Sequence, residues 1–195
     1  MRIPNGYTVK ARFQFRGLRS SILQILSLLI ALPLLLLFSN LTKTIHSDFD
    51  LNAFLSKFDT VGMTLILGMG LLFFLYVHSY LHEKIHQKSI GIFIGQEPTL
   101  HMNLPVRNVT LPVGEVCTRK EAIIGLLSPL IILEILGFAI LWLVSQNDVL
   151  PLVILFLSIN VGMAAVDIAE AVWLLRHPSN YYFGFDGKDS VLYGP

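Results

Sequence analysis

Not one charged residue lies between Arg19 and Lys43, and the stretch from 20 to 39 is dominated by Leu and Ile. About 20 such residues at about 1.5 Å each cross a hydrocarbon layer about 30 Å thick, so this run predicts a transmembrane helix. A second charge-free run extends from Asp59 to Glu83. A third, from Ala122 to Ser145, is broken only by Glu134, and a fourth, from Val149 to Leu175, only by Asp167 and Glu170. The expected fold is an all-α membrane protein with about four transmembrane helices, over 20–39, 61–86, 122–145 and 149–175. The chain is expected to form a single integral-membrane domain over 1–195.

Composition agrees with that reading. Hydrophobic residues make up 54% of the chain and charged residues 14%, against roughly 45–50% and 25% in soluble domains. The first run exceeds the apolar core of a signal peptide, about 7–15 residues, and no small-residue cleavage site follows it, so a permanent anchor is expected. The single cysteine, Cys117, excludes a disulfide framework and any cysteine-rich metal cluster. A bound metal would therefore use His and carboxylate ligands.

Basic residues set the orientation, because Lys and Arg near helix ends stay cytoplasmic. Arg2, Lys10, Arg12, Arg16 and Arg19 precede the first run, and Lys84, Lys88, Arg107, Arg119 and Lys120 follow the second. The other two connections carry Lys43 and Lys57 beside Asp48, Asp50, Asp59 and Asp148. Both termini and the connection 87–119 are expected in the cytoplasm, which places the protein in a cell membrane as a multi-pass protein. The β-branched residues and Gly/Pro punctuation of Ile90–Ile94 and Val109–Val116 predict short extended segments in that connection. The C-terminal tail, 176–195, predicts a hairpin: an aromatic-rich segment from Tyr181 to Phe185, a turn at Asp186-Gly187-Lys188, and a strand from Ser190 to Tyr193.

The densest chemistry is His82-Glu83-Lys84-Ile85-His86, an H-E-x-x-H motif. Two imidazoles four apart on a helix share a face and can converge on one Zn²⁺, while the glutamate takes a proton from the metal-bound water. Chance would supply this pattern about 0.006 times in a chain of this composition, so the motif is selective. Glu83 is thus the candidate catalytic base, and His82 and His86 are candidate zinc ligands.

A catalytic zinc site needs a third protein ligand. Counting about 1.5 Å per residue puts the two histidines about 3–9 Å inside the membrane boundary, Asp167 about 13 Å, Glu170 about 9 Å and Glu134 about 18 Å. The acids of the last helix fit better than Glu134. Asn160, Ala164 and Asp167 form one helical stripe, with Asp167 directed at the metal and Asn160 free to orient a backbone or substrate group. Glu170 is the second choice of ligand, or a hydrogen-bond partner to a ligating histidine. His78, one turn before His82, is expected to line the site. His46, His101 and His177 are expected in solvated loops, and Cys117 is expected to act as a small apolar residue.

These residues resemble a family of small membrane proteins described as zincin peptidases, formerly a domain of unknown function. The resemblance rests on His82-Glu83-x-x-His86, Arg119-Lys120-Glu121 at a helix entry, Ser128-Pro129 within that helix, Asn160-x-Gly162-x(4)-Asp167, and the tail near Tyr193. It covers Leu71 to Pro195. The plan is also similar to that of site-2 intramembrane metalloproteases, which implies His82, His86 and Asp167 as ligands and Glu83 as base.

The expected function is a membrane-embedded zinc metallopeptidase that cuts a peptide or membrane-protein substrate in or beside the lipid bilayer. A homo-oligomer is one option for its assembly, and nucleic acid is not an expected partner. The alternative is a non-catalytic metal-binding scaffold or small transporter subunit, with Glu134 lining an ion path.

Overall fold

The computed structural model describes residues 2–13, 18–57, 59–101, 108–110, 112, 114–144, 149–186 and 189–195. Strand β1 (Thr8–Phe13) leads into helix α1 (Leu18–Ile45), the short α2 (Leu51–Leu55) and the long α3 (Thr60–Ile94). Strands β2 (Thr99–His101), β3 (Asn108–Thr110) and β4 (Val116–Thr118) precede α4 (Arg119–Leu143), α5 (Leu150–Met163), α6 (Ala165–Leu175), β5 (Tyr182–Phe185) and β6 (Ser190–Gly194). Of the four expected segments, 20–39, 61–86, 122–143 and 150–175 are helical, the last with a break at Ala164. The chain is mostly helical with a small sheet, which corrects the all-α expectation.

By contact the chain forms two compact units. The first comprises Met1–Leu23, Tyr80–Pro129 and Ala164–Pro195. Its sheet runs in the order β1-β6-β5-β4 with every pair antiparallel. Cys117 of β4 sits opposite Phe183 of β5, which sits opposite Leu192 of β6. These three pack with Ile90 and Ile94 of α3, Ala122 and Leu126 of α4, and Ala171 and Leu174 of α6. One buried cluster thus joins the sheet to the three helices that carry the chemistry.

The second unit comprises Gln24–Ser79 and Leu130–Met163. Its core joins Phe38 of α1, Phe49, Leu141 of α4, and Leu150, Val153, Ile154 and Leu157 of α5. Asp50 caps α2 by accepting from the backbone N–H groups of Asn52 and Ala53.

Four local expectations change. Ile90–Ile94 is the last turn of α3 and not an extended segment. Ile90 and Ile94 are four apart and both enter the core cluster, so burial along one helical face outweighs their β-branched preference. The helix stops at Gly95, whose φ of 70° is open to glycine at little cost and whose N–H bonds the Gly91 carbonyl at 3.0 Å. The H-E-x-x-H motif therefore lies inside α3, where every ring is held by a continuing helix, and not at its end.

The basic N-terminal segment is also more than a topogenic tail, since β1 pairs with β6 from Thr8↔Gly194 to Phe13↔Ser190. Arg12 forms an ion pair with Asp186. Finally, the last apolar run is two helices divided at Ala164, so Asn160 and Asp167 belong to different helices and the single stripe expected for them does not form. The C-terminal hairpin is as expected, with Tyr182↔Tyr193 and Phe185↔Ser190 at its ends; Gly187 and Lys188 of its expected turn lie outside the described residues.

By length and composition, Arg119–Leu143 and Leu150–Leu175 are long and apolar enough to cross a membrane. Leu29–Ile45 is a shorter apolar helix.

Candidate metal centre

Helix periodicity builds the first half of the site. His82 and His86, four apart on α3, stand one above the other with ring centroids 4.9 Å apart and planes at 77°. Both are buried, at 2% and 5% exposure. Asp167 supplies the second half from the first turn of α6, where the helix N-terminus favours a negative charge. Its Oδ2 lies 3.0 Å from His82 Nε2 and its Oδ1 lies 3.4 Å from His86 Nε2. One ligand atom from each residue falls within 4.8 Å of the other two.

Those separations can be tested against zinc. Bonds of about 2.0–2.1 Å in a tetrahedron put neighbouring ligand atoms about 3.3–3.4 Å apart; the His86 contact to Asp167 has that length at 3.4 Å and the His82 contact is shorter at 3.0 Å. Two imidazoles and one carboxylate are also the donors zinc favours, and three protein ligands leave a fourth position for water or substrate. His82, His86 and Asp167 fit a zinc ion.

The groups around this trio fix its orientation. His86 Nδ1 donates to the Gly125 carbonyl at 2.9 Å, which leaves Nε2 with its lone pair toward the trio. Gly125 is required there, since a Cβ on it would come 2.7 Å from Cγ1 of Ile90. Ile90 is the next turn of the same α3 face, so the missing side chain lets α4 approach the histidine helix closely.

Glu83 stands beside the trio without joining it. It is half-buried, and its carboxylate accepts a hydrogen bond from the backbone N–H of Val109 on β3. Strand β3 pairs with β2, Val109 opposite Leu100. The chain reaches that position because Gln87, one residue past His86, donates to the Pro98 carbonyl at 2.7 Å while accepting from Lys84 at 2.7 Å. The connection after α3 is thereby tied back to the helix that carries the motif.

Glu170 lies one turn beyond Asp167 on α6 and is 8% exposed. It accepts a hydrogen bond from Ser190 of β6, and its Oε1 is buried without a hydrogen-bond partner among the described residues. Glu170 does not share the tight spacing of the trio.

Asn160 is fully buried and gives its amide to the Leu130 carbonyl at 3.2 Å and to Glu134 Oε1 at 3.0 Å. Its amide nitrogen thus serves α4, Glu134 included, while its Oδ1 is buried without a hydrogen-bond partner among the described residues. His78 is buried edge-on against Phe156, with centroids 4.8 Å apart. His46 and His177, expected in solvent, are part-buried and bond the carbonyls of Leu141 and Trp173 at 2.7 and 2.8 Å; the side chain of His101 lies outside the described residues. Sequence reasoning missed the Gly125 carbonyl, the Val109 N–H and the Ser190 hydroxyl.

Cys117 behaves as the apolar residue expected. It is 1% exposed in β4, and burial, helped by the charge of Glu121, pushes its thiol up to about 12. Only the thiolate is nucleophilic. Iodoacetamide at pH 8 is therefore expected to leave the folded protein unmodified and to label one site after denaturation, read by intact mass. Labelling of the folded chain at the denatured rate would contradict the packing of β4.

The fold and the trio define a class: a helix-borne H-E-x-x-H pair completed by a carboxylate from a later helix. The family model DUF3267, described as "Putative zincin peptidase", matches residues 72–182, and the chain belongs to that family. Comparison with curated proteins and with solved structures returned no match.

Proposed function

We propose that this protein is a membrane-embedded zinc metallopeptidase, with His82, His86 and Asp167 holding the ion and Glu83 as its general base. The observation that carries the reading is the meeting of Asp167 with both motif histidines at 3.0 and 3.4 Å. Membership of a zincin peptidase family supports the same chemistry.

Bound zinc would polarise the scissile carbonyl and lower the pKa of its water toward about 7. The rest of the work belongs to the chain. Glu83 takes the proton of the attacking water and returns it to the leaving amine. The Val109 N–H fixes where that carboxylate points. His86, held through Nδ1 by Gly125, cannot turn its Nε2 away. Peptide bonds are cut in extended backbone, and β2–β3 offers strand edges against which such a segment can lie.

The membrane setting is part of the proposal. Ile131, Ile135 and Trp142 of α4 are each more than half exposed, and large apolar side chains on an open face are stable in lipid and costly in water. We place α1, α3, α4 and the α5–α6 pair as four bilayer segments, with both termini and the 87–119 connection in the cytoplasm. The substrate class is a peptide or membrane protein presented at that face.

The full-length protein, purified in detergent and incubated with unfolded casein and with quenched fluorescent peptides, is expected to show hydrolysis. Activity is expected to vanish with 1,10-phenanthroline and to return with added zinc. Hydrolysis indifferent to the chelator would refute the metal mechanism.

A further inference from the structure

The Gly125 carbonyl poses a question of supply. In an α-helix each carbonyl accepts the N–H four residues on, and Gly125 lies in the interior of α4, six residues past its start. A carbonyl there would ordinarily be engaged within its own helix. The carbonyls that receive His46 and His177 belong to Leu141 and Trp173, in the last turn of their helices, where carbonyls lack the usual donor four residues on; that of Trp173 also accepts the Arg176 N–H at 3.1 Å.

The residue four on from Gly125 is Pro129, which has no N–H to give. The helix therefore leaves this one interior carbonyl without its backbone donor. Being buried, it needs others. It receives two: the Ser128 hydroxyl at 2.8 Å and His86 Nδ1 at 2.9 Å. A proline inside a helix lowers helix stability, so its presence here calls for a compensating use.

We propose that Pro129 is a positioning residue of the metal centre, which by withholding its N–H opens the Gly125 carbonyl to His86 and so fixes the tautomer in which Nε2 faces the ion. The proposal rests on the reading of His86 as a ligand. Three neighbouring residues share the task. Gly125 gives the close approach, Pro129 vacates the acceptor, and Ser128 satisfies its second lone pair. Partners that orient a ligating histidine typically alter metal affinity about 10–100-fold when lost.

Pro129→Ala restores an N–H that competes with the imidazole for Gly125. In full-length protein, zinc affinity measured by competition with a chromophoric chelator is expected to fall about tenfold, with thermal stability of the metal-free protein equal or higher. Ser128→Ala, which removes one donor to that carbonyl without adding a competitor to His86, is expected to lose less zinc affinity than Pro129→Ala. Proton NMR of the His86 Nδ1–H, read without metal, is expected to show a hydrogen-bonded, slowly exchanging proton in wild type and a faster-exchanging one in Pro129→Ala.

Unchanged zinc affinity and an unchanged exchange rate of the His86 Nδ1–H in Pro129→Ala would overturn the proposal. Equal losses in the two variants would also overturn it, because local packing would then be the cause. Failure of the wild type to bind zinc would refute the metal centre itself, and the metal-free exchange of the His86 Nδ1–H would still decide whether Pro129 opens the Gly125 carbonyl.

Discussion

Asp167→Ala is expected to strip zinc from the purified protein, while Glu170→Gln retains it. The two acids are three residues apart on α6 and both buried or nearly so, so sequence alone leaves them as rivals. Geometry separates them, because only Asp167 lies within bonding distance of both imidazoles. Zinc sites with four protein ligands bind with about 10–16 kcal/mol, or roughly 3 kcal/mol per ligand, so losing Asp167 should weaken binding more than a hundredfold. His82→Ala is expected to do the same. Glu170→Gln keeps the shape of the side chain and its acceptor for Ser190 while removing a charge that is not in the trio, so occupancy should remain near one per chain. Elemental analysis after dialysis against a weak chelator reads both variants. Full zinc in Asp167→Ala with loss in Glu170→Gln would transfer the third ligand to Glu170.

Why Asp167 was legible and other parts were not follows from what each signal depends on. The histidine pair is a local pattern on one helix, and the acid stood out because charge is scarce in an apolar run. The start of α4 was also written locally. Thr118 and Glu121 form a capping box, Glu121 Oε2 accepting from the Thr118 N–H at 2.8 Å and Thr118 Oγ1 from the Glu121 N–H at 3.3 Å. Strand β1 was hidden because its partner β6 lies at the far end of the chain, and its largely exposed residues show no clean alternation. The division at Ala164 was hidden because alanine makes no side-chain cap there and the nearest glycine, Gly162, is still inside α5. The Gly125 carbonyl was legible only in retrospect: Pro129 four residues on predicts an open acceptor, but nothing in the sequence says that a histidine would fill it.

Glu83→Gln separates a hydrolase from a metal-holding scaffold. Glutamine matches glutamate in volume and can still accept the Val109 N–H, so the local structure has little reason to change. Glu83 is not among the three ligand residues, and zinc content should equal that of wild type. What the substitution removes is a proton acceptor beside the metal's open position. General-base catalysis contributes about 10²–10⁴-fold, and hydrolysis should fall at least that far while peptide binding persists. The two measurements must be made on the same preparation, because zinc lost together with activity would indicate damage to the trio. Normal zinc with hydrolysis undiminished would remove Glu83 from the mechanism. A wild type that binds zinc, cuts nothing, and keeps its cellular phenotype as Glu83→Gln would favour the scaffold, in which Asn160 and Glu134 would form the polar pair of greatest interest.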